Sequence, residues 1–120
     1  MITVTAPMHR PAGMLQLAHV LAALPGAGLQ WRVEEFEGFG PAVGALPAAD
    51  RERLFDGDHR FASWEALTSF AAGLEQTIWC TLVGARDGRD EITVIAFDSS
   101  EWEVRVPDEL AGAVRAVLEG

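Results

Sequence analysis

Residues 77–106 read TIWCTLVGARDGRDEITVIAFDSSEWEVRV, and this stretch decides the fold. Residues 77–85 are almost wholly apolar, Asp87-Gly88 is a dipeptide favoured in two-residue hairpin turns, and residues 91–97 return as a second apolar run. Both runs read as strands buried on two faces. After a turn over 98–101, Trp102, Val104 and Val106 alternate with Glu103 and Arg105, which predicts a third strand over 102–106 with one solvated face. Three strands joined by short turns form an antiparallel meander.

Outward from this core, Pro107 opens a helix over 107–118. Asp108 and Glu109 occupy its first turn, and Leu110, Val114, Val117 and Leu118 form its apolar side. Upstream, Ser63 is a suitable N-cap for a helix over 63–74 that places Trp64, Leu67, Phe70, Ala71 and Leu74 together. Residues 40–62 are rich in Gly, Pro and Asp and read as a surface loop, with one or two helical turns near 48–55. Residues 29–37 fit either period. Trp31 and Val33 favour a strand, and the Glu34-Glu35 pair marks a bulge that returns Phe36 to the buried side. Met14, Leu17, Leu21 and Leu24 predict a helix over 12–24, stopped by Pro25 and Gly26, and residues 2–5 read as a short strand. The expected fold is α+β. It is a single domain over 1–120, with a three-stranded meander extended by strands near 2–5 and 29–37 and packed with three helices.

The 120 residues carry 9 Arg and Lys against 18 Asp and Glu, a formal net charge of -9. Such a surface disfavours nucleic acid and anionic membranes, both of which need a basic face. It complements a basic protein. Every basic side chain except the histidines is Arg, a compositional bias that removes weight from any single Arg-for-Lys choice. The one cysteine, Cys80, excludes an internal disulfide and fits a reducing, cytoplasmic setting. The apolar run over 14–24 is interrupted by Gln16 and His19 and follows a strand, unlike a secretory leader.

Candidate chemistry reads poorly. His9, His19 and His59 lie in separate segments without metal-ligand spacing. Asp56, Asp58 and His59 begin like a calcium loop, but Arg60 and Leu67 stand where oxygen ligands are required. Cys80 sits mid-strand, where a thiol behaves as a small hydrophobe. Asp98, Ser99 and Ser100 lack a nucleophile elbow and read as a turn, and Gly26-x-Gly28 follows a helix, not a strand. Neither Glu34 with Glu35 nor Glu101 with Glu103 sits in a context that raises a carboxyl pKa for acid and base work. No catalytic residue, metal or cofactor is expected.

The remaining signal is where the acid lies. Glu34, Glu35 and Glu37 fall in one strand region, Asp56 and Asp58 in the loop, and Asp98, Glu101 and Glu103 around the third strand, three groups expected to converge on one negative face. Glu34, Glu35, Glu37, Asp98, Glu101 and Glu103, with Trp102 as an aromatic anchor, are the expected partner contacts.

The stretch over 77–106 resembles small bacterial proteins and, more loosely, the acidic α/β immunity proteins of interbacterial toxin systems. That resemblance implies an inhibitor that occludes a basic toxin or enzyme. It carries no residue role across. Two other functions fit the same size and charge: a homodimeric secretion chaperone or adaptor, and a small hydrolase or isomerase with a site near 40–62.

Overall fold

The computed structural model describes residues 1–119; Gly120, the last residue assigned to the domain, lies outside the described residues. The chain runs β1 (Ile2–Pro7), β2 (His9–Arg10), β3 (Gly13–Met14), α1 (Leu17–Ala22), β4 (Gln30–Phe39), α2 (Pro41–Ala45), α3 (Ala48–Asp56), β5 (His59–Arg60), α4 (Trp64–Ala72), β6 (Gln76–Arg86), β7 (Arg89–Phe97), β8 (Glu101–Val106) and α5 (Asp108–Leu118). The fold is α+β. A six-stranded sheet has the order β1-β8-β7-β6-β4-β5, and β2 and β3 form a separate two-stranded ribbon.

The hairpin between β6 and β7 turns on Asp87 and Gly88, both at positive φ (51° and 76°). This left-handed pair matches the right-handed twist of the strands it joins. Between β7 and β8, Asp98 and Ser99 also take positive φ (46° and 58°), without a glycine. Neighbours hold that second turn: the Ser99 amide donates to Ile78 O at 2.9 Å, and the Gln76 amide nitrogen donates to Ser99 Oγ at 2.9 Å. The bulge at Glu34-Glu35 is present as a register shift between Val33 and Glu35, and both Val33 and Phe36 are buried.

The apolar spacing predicts a helix over 12–24, whereas α1 spans only Leu17–Ala22. Gly13 sits at φ 127°, outside the right-handed helical region, and the Leu15 amide donates to Met8 O at 2.7 Å, so this segment folds back as the β2–β3 ribbon. The Gln16 amide then donates to His19 Nδ1 at 3.3 Å, a local cap that accounts for both polar residues. The region over 40–62 is not an irregular loop: it contains α2, α3 and β5, so the helices number five among the described residues, not three. Pro41 starts α2, and Gly57 at φ 74° ends α3.

Core side chains include Val4, Trp31, Val33, Phe36, Cys80, Leu82, Val94, Trp102 and Val104 from the sheet and Leu17, Val20, Leu67, Phe70, Val114 and Leu118 from α1, α4 and α5. Both deep indoles are satisfied by backbone carbonyls: Trp102 Nε1 donates to Leu15 O at 2.8 Å and Trp31 Nε1 to Gly26 O at 3.0 Å. The backbone envelope measures 38 × 38 × 21 Å. Its short dimension accommodates one sheet and one helical layer, since packed layers lie about 10 Å apart. Among the described residues no helix is long and apolar enough to cross a membrane.

Candidate protein-binding face

Side chains alternate between the faces of a strand, so the pairing register sorts each residue onto one side of the sheet. On the inner side, Val33, Leu82, Val94, Val104 and Val4 form one row, and Phe36, Cys80, Ala96, Trp102 and Ala6 another. All ten are buried. On the outer side the rows are Arg32, Val83, Thr93, Arg105 and Thr3, then Glu35, Thr81, Ile95, Glu103 and Thr5. A third outer row continues with Glu37, Trp79, Phe97, Glu101 and Pro7. Within these outer rows only Val83 is buried, and the rest are exposed or half-buried. The apolar runs of β6 and β7 predict burial on two faces, but helices cover only one of them.

Trp79 and Phe97 meet edge to face across β6 and β7, with ring centres 6.3 Å apart at 71°. With Thr81 and Ile95 in the adjacent row they form an apolar strip down the middle of the outer face. Carboxylates bound it on both sides, Glu35 and Glu37 from β4 and Glu101 and Glu103 from β8. Three inter-strand steps of about 4.8 Å separate these margins by about 14 Å.

Two arginines temper the charge at the other end of the face. Arg32 donates two hydrogen bonds to Asp90, at 3.1 and 3.2 Å, and one to Glu34 at 3.0 Å. Bonding to Asp90 first, and to a lesser extent to Glu34, holds the Arg32 guanidinium above its ordinary pKa against the opposing effect of burial. Arg105 lies 2.7 Å from Glu103. Such surface pairs contribute little stability, but they neutralise their members locally. Among the described residues Glu35, Glu37 and Glu101 take part in no ion pair.

At the β4 margin the face opens into a cleft of about 520 Å³ against the end of α3. Glu34, Glu35, Glu37 and Asp56 are its acidic lining residues, and Phe36, Phe55 and Trp79 its aromatic walls. Phe36 and Phe55 pack edge to face at 5.7 Å, and Phe55 remains 47% exposed. Gly57 sets the width of this cleft, because a Cβ there would collide with the Glu34 carbonyl.

Of the residues singled out from sequence, Glu35, Glu37, Glu101 and Glu103 share the outer face. Glu34 stands beside them at the bulge, tied to Arg32. Asp98 occupies the turn beyond Phe97 at the acidic end. Trp102 belongs to the opposite side. It is 1% exposed, shares parity with Val104 and Val106, and is bonded to Leu15, so it is a core residue and no anchor. Half-buried Trp79 and exposed Phe97, which the apolar run conceals, hold the outward aromatic position instead. Of the remaining acids, Asp50, Glu52, Asp56, Glu65, Asp108 and Glu109 lie on helices α3, α4 and α5, Asp90 and Glu91 on β7, and Asp58, Glu75, Asp87 and Glu119 in turns and connections.

The other candidates stay apart. His9 Nε2 contacts Ser99 O at 2.8 Å, His19 serves the α1 cap, and His59 stacks edge to face on Phe61 at 4.7 Å. Among the described residues no group of three or more His, Cys, Asp or Glu side chains is placed to hold a metal ion. Cys80 is fully buried, and burial, with a smaller contribution from the Glu35 charge, pushes its thiol pKa far up. Ser100 Oγ donates to Phe97 O at 2.7 Å, as expected of a turn serine.

Comparison with known proteins finds no matching family model, no matching curated protein and no matching solved structure.

Proposed function

We propose that this chain is a non-catalytic, cytoplasmic binding protein, an immunity-type inhibitor that blocks a basic toxin or enzyme through the outer face of its sheet. The observation that carries this reading is the composition of that face: an uncovered aromatic strip between two acidic margins. Exposed apolar patches rimmed by polar groups mark interaction sites. The carboxylates select a cationic partner and accelerate its approach, while Trp79 and Phe97 supply desolvated contact area. Acid alone serves solubility, but acid arranged around a partly exposed Trp–Phe pair favours recognition.

Charge disfavours a homodimeric chaperone that uses the same face. Both margins are acidic, so twofold stacking of two copies about an axis along the strands sets carboxylates against carboxylates on each side.

The test is protection. The chain is co-expressed with each basic product encoded beside it in its native host, and growth is scored together with copurification. Rescue by the native sequence and loss of rescue by Trp79→Glu, with the variant still folded, is the expected result. Rescue by neither, with no partner retained, contradicts the inhibitor reading.

A further inference from the structure

The proposal that follows rests on the outer face being the binding surface, and concerns what it binds. We propose that its occupant is a cationic amphipathic α-helix of the partner, laid along β6 and β7 with its apolar stripe on Trp79, Ile95 and Phe97 and basic side chains reaching both margins.

Three observations select a helix. The strip is apolar, and an extended segment lying flat on it would leave backbone amides and carbonyls unpaired against side chains that cannot bond them, whereas a helix satisfies its own backbone. The acidic margins are about 14 Å apart, and a helix is about 10 Å across, so long basic side chains on its two flanks reach Glu35 and Glu37 on one side and Glu101 on the other. This antiparallel sheet already carries helices on its inner face, and an occupant on the outer face would complete a third layer.

Charge complementarity selects the sign. Glu35, Glu37 and Glu101 have no ion pair among the described residues, so a cationic partner does not first have to displace an internal arginine. At the β4 margin the cleft places carboxylates of Glu35, Glu37 and Asp56 beside Phe55 and Trp79, an environment that accepts one extended Arg or Lys side chain by charge and by its contact with ring faces. The helix is therefore seated asymmetrically, with its longest basic contact toward β4.

The probe is a synthetic peptide of about 18 residues, long enough for several turns, carrying a Leu stripe flanked by Arg and Lys. Two controls accompany it: the same composition shuffled to destroy the stripe, and the same stripe with every basic residue replaced by Glu. Each is titrated into the full chain while backbone and methyl resonances are followed. The expected result is saturable shifts at Thr81, Ile95 and Phe97 with the cationic helix only. Affinity falls about tenfold or more in Trp79→Glu and in Phe97→Glu, both at outward positions that leave the core intact. If the shuffled peptide binds the same residues equally tightly, the helical occupant is wrong while the acidic face survives as a binding surface. If no peptide gives saturable shifts on the outer face, the helix and the choice of face both fail.

Discussion

Trp79 and Phe97 touch edge to face on the side of the sheet that no helix covers, whereas Trp102, one strand over in the row beneath them, faces the helices and is 1% exposed. The two tryptophans therefore respond differently to truncation. Trp102→Ala opens a core cavity and strands the Leu15 carbonyl, and costs about 3 to 5 kcal/mol in denaturant unfolding. Trp79→Ser costs well under half of that. Equal losses would contradict the two-layer arrangement.

Thr77 is 2% exposed, and its Oγ1 has no hydrogen-bond partner. Thr77→Val keeps the shape and removes the orphan hydroxyl. The urea midpoint is expected to stay or rise, by up to about 1 kcal/mol in stability. A loss above that size would show that the hydroxyl is bonded in solution.

Gly88 and Gly57 separate backbone strain from crowding. Both lie at left-handed φ, 76° and 74°, but an added Cβ meets nothing within 4 Å at Gly88 and collides with the Glu34 backbone at Gly57. Gly88→Ala costs about 1 to 2 kcal/mol from the left-handed conformation alone. Gly57→Ala costs more and shifts Glu34 and Glu35 resonances. If the two melting temperatures drop equally, the chain after α3 does not press on β4.

Cys80 is fully buried with its thiol pKa raised, so a neutral-pH alkylating reagent labels it only when the protein opens. Labelling rates across a urea series should track the unfolded fraction. Fast labelling in native buffer would place the thiol at the surface.

Much of the fold is legible in the sequence because its signals are local. Asp87-Gly88 announces one hairpin, Ser63 one helix start, and Glu34-Glu35 one bulge, each through chemistry confined to a few residues. The outer strip is not legible, for a reason of register. Extending the Asp87-Gly88 turn pairs Arg86 with Arg89 and Ala85 with Asp90, and the same count would set Leu82 opposite Thr93. A shift between Gly84 and Ala85 sets Leu82 opposite Val94 instead, and only then do Trp79 and Phe97 fall on the outward side. The helix expected over 12–24 fails at Gly13, whose positive φ no apolar spacing reveals. For Trp102, the alternation with Glu103 already gives the inward parity, and that signal outweighs its acidic neighbours.

The proposed recognition depends on unpaired carboxylates of the outer face drawing in a cationic partner. Once a partner is retained from the native host, its association rate is measured against the native chain and against a variant carrying Glu35→Gln, Glu37→Gln and Glu101→Gln, at low and at high salt. The variant is expected to associate more slowly at low salt, with a gap that narrows as salt screens the face. A variant that associates at the native rate in low salt contradicts that dependence.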